Sequence, residues 1–234
     1  MLASLHNHTS ADPIDPIQYS DKDLIDHAKK DGFKILAITC HNKTTVTKEA
    51  IAYAKEQGLL LIPGVEQTIE HRHIVILNAA QEADTVKTFK SLREYKGKHP
   101  ECFIFAAHPY FPSPNFFHDK IEPNIDCIDG LELSWWYSKL IDFNKKGRRI
   151  AKKHNLPFIG TSDTHSIHLH GKTYCQISAT SLTLEAVIEA LRKGNFKNFT
   201  KPISTWQMAM TPLIVLKDKA WLIKQTLLKL FRGH

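Results

Sequence analysis

Leu2-Ala3-Ser4-Leu5-His6-Asn7-His8 joins an apolar run to two histidines that are separated by a single residue. Side chains alternate between the two faces of an extended backbone, so both imidazoles point to the same side. This arrangement suits two bonds to one metal ion or to neighbouring ions. A lone His-x-His pair is weak evidence because surface loops also produce it, so the rest of the chain decides its meaning.

Side chains of the type that bind metals recur at an end of almost every later apolar run. In chain order they are His41, Glu66, His73, His108, Asp163 and His165. Mixed imidazole and carboxylate ligands are typical of zinc, manganese and iron sites. His73 opens its run and is also compatible with a structural role within a strand. The recurrence as a whole predicts a metal centre that is assembled by folding.

Apolar runs alternate with helical patterns along the chain. The predicted strands are residues 2–5, 35–39, 59–65, 73–77, 102–107, 130–134 and 157–160, and the predicted helices are residues 20–30, 46–57, 83–95, 138–154 and 184–193. Repeated strand-helix order predicts right-handed crossovers and a mainly parallel α/β sheet. The number of strands favours a closed or nearly closed barrel, in which chemistry collects at the carboxyl ends of the strands.

Length and charge limit the classes of protein to consider. The chain has 234 residues and 42% hydrophobic content, enough for one large domain with a full core. Its formal net charge is +7, but seven Lys, one Arg and one acid lie within residues 193–234, so residues 1–192 are neutral overall. We therefore expect no extended nucleic-acid surface and divide the chain into a barrel, residues 1–194, and a basic extension, residues 195–234.

The basic extension contains an amphipathic helical pattern. Its apolar positions are Leu216, Ala220, Ile223, Leu227, Leu230 and Phe231. Three- and four-residue spacing is typical of a helix with one apolar face. Packing on the barrel or on a second subunit is the first interpretation, and peripheral contact with an anionic membrane is the alternative. The four scattered cysteines and the lack of a signal pattern at the start predict a cytoplasmic protein with reduced thiols.

Several of these segments together resemble a known family. They are Leu5-His6-Asn7-His8-Thr9, Ala37-Ile38-Thr39-Cys40-His41-Asn42, Pro63-Gly64-Val65-Glu66, His73-Ile74-Val75-Ile76-Leu77, Ala106-Ala107-His108-Pro109 and Gly160-Thr161-Ser162-Asp163-Thr164-His165. Over residues 2–193 the chain resembles the polymerase and histidinol phosphatase family, the PHP domain. The resemblance implies a distorted TIM-like barrel of about seven strand-helix units. It also implies a centre of two or three metal ions that hydrolyses phosphate esters.

The resemblance implies a ligand for each matching position. The implied metal ligands are His6, His8, His41, Glu66, His73, His108, Asp163 and His165, with Glu66 as the bridge between ions. The family has a further acid or histidine after the first motif, for which we choose Asp12 and hold Asp15 in reserve. Cys40 stands where the family commonly has Asp beside the ligand histidine, so it either weakens the orientation of His41 or adds a soft ligand.

The resulting hypothesis is a metal-dependent phosphoesterase acting on a small phosphate monoester or nucleotide, with two or three Zn, Mn or Fe ions. His108, Asp163 and His165 are the candidates for proton transfer as well as for ligation. A 3′–5′ exonuclease or phosphatase on DNA ends is the enzymatic alternative. A catalytically silent PHP fold used for binding or regulation is the alternative from another class. Without motif support, we interpret His27, His99, His118 and His154 as surface residues. We interpret His168 and His170 as surface or substrate-edge residues, and Glu132 as a residue that could serve the site.

Overall fold

One nine-stranded sheet dominates the computed structural model, which describes residues 1–111 and 120–210. Its strands are β1 Leu2–Ser4, β2 Ile35–Ile38, β3 Leu60–Ile69, β4 Arg72–Leu77, β5 Phe103–Ala106, β6 Gly130–Ser134, β7 Phe158–Thr161, β8 Thr173–Ile177 and β9 Phe196–Thr200. The α-helices are α1 Asp21–Lys30, α2 Lys48–Glu56, α3 Phe89–Lys98, α4 Asn144–Lys153 and α5 Leu184–Arg192. Short 3-10 helices cover Gln81–Thr85, Glu122–Cys127 and Ile167–Leu169.

Side-chain caps and glycines mark the ends of the first two helices. The hydroxyl of Ser20 accepts the backbone N–H of Asp23 and caps α1, and Thr47 caps α2 in the same way. Gly32 and Gly58 follow these two helices with φ values of +81° and +77°, a conformation that glycine adopts without steric cost. Among the described helices, none is both long and apolar enough to cross a membrane.

The strand order is β7-β6-β5-β4-β3-β2-β1-β8-β9. The barrel-like α/β fold predicted from the sequence is confirmed, but the sheet is not mainly parallel. Four of its eight neighbouring pairs are parallel and four are antiparallel. The turn between β3 and β4 shows one reason. Only Glu70 and His71 connect the strands, with φ values of 44° and 64°, and a two-residue turn of this kind reverses the chain.

Strands β1 to β7 are largely buried on both faces, which explains their continuous apolar runs. On β2, Ile35 and Ala37 pack into a cluster with residues of most other strands, whereas Leu36 and Ile38 pack beneath α1. Glu66 lies four residues after Ile62, and so on the same face of β3. The inner apolar core therefore has a buried carboxylate at one edge.

The side chain of Asn198 joins the two ends of the sheet. Its Nδ2 donates to the carbonyl oxygen of Phe158 over 2.7 Å, and its Oδ1 accepts the N–H of Gly160 over 2.8 Å, so β9 meets β7 through one amide. A Cβ on Gly160 would lie 3.0 Å from Thr173 and 3.1 Å from this Oδ1, so the close approach depends on glycine. The nearly closed barrel is thus completed by a side chain.

Asn198→Ala is expected to destabilise the protein by about 1–3 kcal/mol, because it leaves a backbone donor and acceptor at the seam without their partner. Urea unfolding followed by circular dichroism measures this change in the free energy of unfolding. Asn195→Ala, at an exposed position just before β9, is the matched control and should cost less than about 0.5 kcal/mol. Equal stability of the two variants would contradict the role given to Asn198.

Two strands of the sheet, β8 and β9, were not among the predicted elements. Residues 196–200 pair with β8, so the first part of the predicted C-terminal extension, residues 195–234, lies in the sheet. Residues 136–142 and 202–210 belong to a second, smaller unit, in which Ser138 pairs with Ile203 and residues 205–210 are helical. The amphipathic pattern of residues 216–231 lies outside the described residues.

Candidate metal centre

Glu66 is the hub of a buried cluster of histidines. Its side chain is 1% exposed, and its Oε2 lies 3.3 Å from His6 Nε2, 3.3 Å from His8 Nε2 and 3.1 Å from His41 Nε2. His6 and His8 follow β1 and His41 follows β2, both of which run parallel to neighbouring strands and end at the same edge. The first two motifs of the sequence therefore converge on one carboxylate oxygen.

The other oxygen of Glu66 faces a second pair of imidazoles. Glu66 Oε1 lies 2.9 Å from His73 Nδ1 and 3.1 Å from His108 Nε2. His73 opens its strand, whereas His108 follows its strand. Both reach the same edge because β4 runs antiparallel to β3 and β5. Imidazoles therefore lie against both oxygens of this one buried carboxylate.

Asp163 and His165 complete the cluster from the loop after β7. Asp163 Oδ1 lies 3.4 Å from His6 Nε2 and 3.3 Å from His8 Nε2. His165 Nδ1 lies 3.3 Å from the same oxygen, and the His165 ring stacks on that of His8 with centroids 4.1 Å apart. Asp163 and His108 have φ values of 45° and 28°, which are uncommon for residues other than glycine and are concentrated at functional sites.

The polar atoms at the centre fit a cation. His6 Nε2, His8 Nε2, Glu66 Oε2 and Asp163 Oδ1 are buried, have no hydrogen-bond partner among the described residues, and lie within 4.8 Å of one another. Buried polar atoms without partners are costly, and two nitrogens with two carboxylate oxygens form a ligand set for zinc, manganese or iron. Overlapping sets join His8, His41 and His165, and join His41, Glu66 and His73.

Electrostatics also favours positive charge at the centre. Burial alone would lower the pKa of His6, but the carboxylates of Asp163, Glu66 and Glu132 raise it to about 10. Burial likewise opposes the carboxylates of Glu66 and Asp163, yet the surrounding imidazoles hold their pKa values well below the ordinary range. In the absence of metal the carboxylates thus favour a protonated His6, and a divalent ion would replace that proton.

Glu132 orients His6 from behind. Its buried Oε1 accepts from His6 Nδ1 over 2.9 Å and from the hydroxyl of Thr161, while its Oε2 accepts the backbone N–H of His108. A carboxylate on the Nδ1 of a histidine fixes the ring and directs Nε2 towards the ion. The sequence indicates only that Glu132 could serve the site, because its contacts with three other segments cannot be inferred from spacing.

Asp12 has the same relation to two other histidines. Its Oδ2 accepts from His8 Nδ1 over 2.8 Å and from His41 Nδ1 over 2.9 Å, and its Oδ1 accepts the N–H groups of Ile14 and Asp15. Protein donors therefore engage both oxygens, and Asp12 belongs to none of the ligand groups. The expectation that Asp12 is a metal ligand stays a prediction, and the contacts seen here are those of a carboxylate that orients His8 and His41.

Cys40 is the other position at which the sequence differs from the family pattern. Cys40 is fully buried, and its Sγ lies 3.7 Å from the hydroxyl of Thr9, so the thiol packs in the core. Asp12 supplies the carboxylate that orients His41, and its Oδ2 also accepts the His41 backbone N–H over 2.8 Å. Asp15, the reserve choice, lies with its Oδ2 3.1 Å from His165 Nε2. All eight other predicted ligands converge on the cluster.

Comparisons with known proteins agree with this architecture. The family model described as PHP-associated matches residues 142–196. A two-domain protein from Bacteroides vulgatus ATCC 8482, containing a predicted PHP-like metal-dependent phosphoesterase, superposes with a TM-score of 0.68 at 18% identity, covering 86% of this chain and 64% of that chain. The chain thus spans less than two thirds of that protein. A search of the curated proteins finds no match.

Two further solved structures share the fold. PsfC from Pseudomonas syringae PB-5123 superposes with a TM-score of 0.62 at 17% identity, over 97% of this chain and 98% of that chain. The lesion-specific endonuclease PfuEndoQ from Pyrococcus furiosus superposes with a TM-score of 0.58 at 15% identity, over 84% of this chain and 57% of that chain. These likenesses show that the chain shares its overall fold with these proteins. Together with the match over residues 142–196, they agree with the resemblance of the sequence to the PHP domain.

Proposed function

We propose that the chain is a metal-dependent phosphoesterase that hydrolyses a small phosphate monoester or nucleotide. The observation that carries the proposal is the convergence of four buried ligand atoms without hydrogen-bond partners, those of His6, His8, Glu66 and Asp163, at one edge of the barrel. The relation to a PHP-like metal-dependent phosphoesterase supports the same class of reaction.

Each oxygen of Glu66 would hold a different ion, one with His6 and His8 and the other with His73. Bound divalent ions act as Lewis acids towards phosphate oxygens and lower the pKa of a bound water towards about 7. Glu132 and Asp12 keep the ligand rings in place without themselves meeting substrate.

Proton transfer to the leaving oxygen falls to a cluster residue that solvent can reach. His165 has a side chain that is 33% exposed, against 9% for His108 and 0% for His6 and His8. Asp15 Oδ2, at 3.1 Å from His165 Nε2, orients that ring. His165 is therefore our first choice among the candidates for general acid, ahead of His108 and Asp163.

Charge supports a small substrate over a long polymer. Residues 1–192 are neutral overall, and a nucleic-acid track gains its affinity from many Lys and Arg contacts with phosphates. The alternative, hydrolysis at DNA ends or lesions, is favoured by one specific observation, the shared fold with PfuEndoQ. Both functions use the same metal centre and differ in how much of the substrate the protein contacts.

A phosphate-release screen with added manganese tests the proposal on nucleotides, bisphosphates, sugar phosphates and labelled single- and double-stranded oligonucleotides. We expect release from one class of small phosphate ester, loss of release after chelation, and recovery when the metal is restored. Cleavage of oligonucleotides alone, weakening as salt rises, would transfer the proposal to DNA. Full metal occupancy without hydrolysis of any ester would overturn it in favour of a binding role.

A further inference from the structure

His170 is a buried histidine far along the chain from the motifs, between the 3-10 helix Ile167–Leu169 and β8. It is 7% exposed, and neither ring nitrogen has a hydrogen-bond partner among the described residues. Phe33 packs edge-on against the imidazole, with ring centroids 4.7 Å apart. A buried imidazole with both nitrogens unsatisfied is unusual and calls for a ligand.

The partners that face His170 lie at the end of α1. His27 is in the last turn, and Asp31 is the C-cap residue four positions later, so both point to one side of the helix. His27 Nε2 lies 3.2 Å from Asp31 Oδ2, and the rings of His27 and His170 meet edge to face with centroids 5.2 Å apart. A ligand atom from each of the three residues lies within 4.8 Å of the others.

Local rules of helix stability are broken at this point. The backbone carbonyls at a helix C-terminus carry partial negative charge, so a carboxylate such as Asp31 is unfavourable there. Burial and the neighbouring His27 lower the pKa of His170 to about 4, so its imidazole is neutral at physiological pH, the form that binds metals. A cation held between the helix end and the imidazole would offset the charge of Asp31 and give a ring nitrogen of His170 a partner.

We propose that His27, Asp31 and His170 form a second metal site, separate from the central cluster, that takes a zinc-class divalent ion with water as a further ligand. Two imidazoles and a carboxylate select zinc or a similar transition ion over magnesium or calcium. Zinc binds its ligands at about 2.0–2.2 Å, so any two ligand atoms that lie as far apart as the 4.8 Å limit would move closer when the ion binds. The side chains of His27 and Asp31 are 32% and 41% exposed and have room to rotate.

The site would tie the end of α1 to the loop that begins at Asp163 and His165. Because that loop also carries ligands of the central cluster, the second ion would hold its far end in place without touching substrate. This role goes beyond the proposed hydrolysis. It depends only on the three residues and not on any reaction at the central cluster.

Zinc stoichiometry tests the proposal in the full chain. Wild-type protein, His27→Gln, Asp31→Asn and the control His168→Gln are equilibrated with zinc, freed of unbound metal, and analysed for bound ions per chain. His168 is exposed in the same loop as His170, so its replacement keeps the surface chemistry comparable. We expect His27→Gln and Asp31→Asn to bind one ion fewer than the other two proteins.

Equal zinc content in all four proteins would overturn the proposal, as would loss of the same ion from His168→Gln. The variants avoid the buried His170, so a failure to fold does not confuse the result. Repeating the count in a Glu66→Gln background separates the two sites, because the one-ion difference should persist when the central cluster is broken.

Discussion

Glu66→Gln is expected to lower phosphate release by at least about 10²–10³-fold, the cost typical of removing a central electrostatic element from an active site. The side-chain amide of glutamine has one oxygen and one NH₂ group. The NH₂ nitrogen cannot bind a metal ion. Glu66 faces three imidazoles with Oε2 and two with Oε1. Either orientation of the amide therefore breaks one half of the cluster.

Metal analysis beside the rate measurement makes this prediction specific. Glu66→Gln should retain fewer metal ions per chain at the central cluster than wild type. Glu56→Gln makes the same chemical change at an exposed position of α2 and should leave both metal content and rate unaltered. Wild-type metal content and activity in Glu66→Gln would show that the cluster is not the catalytic centre.

Asp12→Asn is expected to weaken metal binding by about 10–100-fold, as is typical when a carboxylate behind a histidine ligand is removed. Burial by itself would raise the pKa of Asp12, but hydrogen bonds from His41 and His8 hold it well below the ordinary range. Asparagine removes this charge and turns one acceptor into a donor. The rings of His8 and His41 then lose the partner that fixes their orientation.

The comparison with Asp15→Asn distinguishes positioning from ligation at the N-terminal motif. Asp15 contacts His165, whereas Asp12 contacts His8 and His41. Replacement of Asp15 should therefore act mainly on turnover, and Asp12→Asn should act mainly on metal affinity. Titration with manganese, monitored by activity and by metal content, measures both quantities. A normal metal affinity in Asp12→Asn would contradict the positioning role.

Most of the barrel was predictable because its strands are buried on both faces. A continuous apolar run such as residues 35–39 identifies a strand without knowledge of its neighbours. The two strands that escaped prediction, β8 and β9, have half-buried or exposed positions such as Gln176 and Lys197. Helix α4 also begins at Asn144 rather than near Ser138, since residues 136–142 belong to another unit.

The candidate ligands could be predicted from the sequence for a related reason. Histidine and carboxylate at the ends of buried strands are costly unless they are used, so their recurrence carries information before any contact is known. His73 was the doubtful member because it opens its strand. The antiparallel direction of β4, which a two-residue turn imposes, brings it beside Glu66.

Local sequence thus established the barrel class, the chain positions of eight candidate ligands and the chemistry they suit. Folding alone decided which carboxylates lie between the imidazoles and which bond to the Nδ1 atom of a ring. Asp12 and Glu132 reach histidines on other strands, and His170 meets His27 across well over a hundred residues. Such assignments depend on distances between segments that are remote in sequence, and these distances exist only once the strands have packed into one sheet.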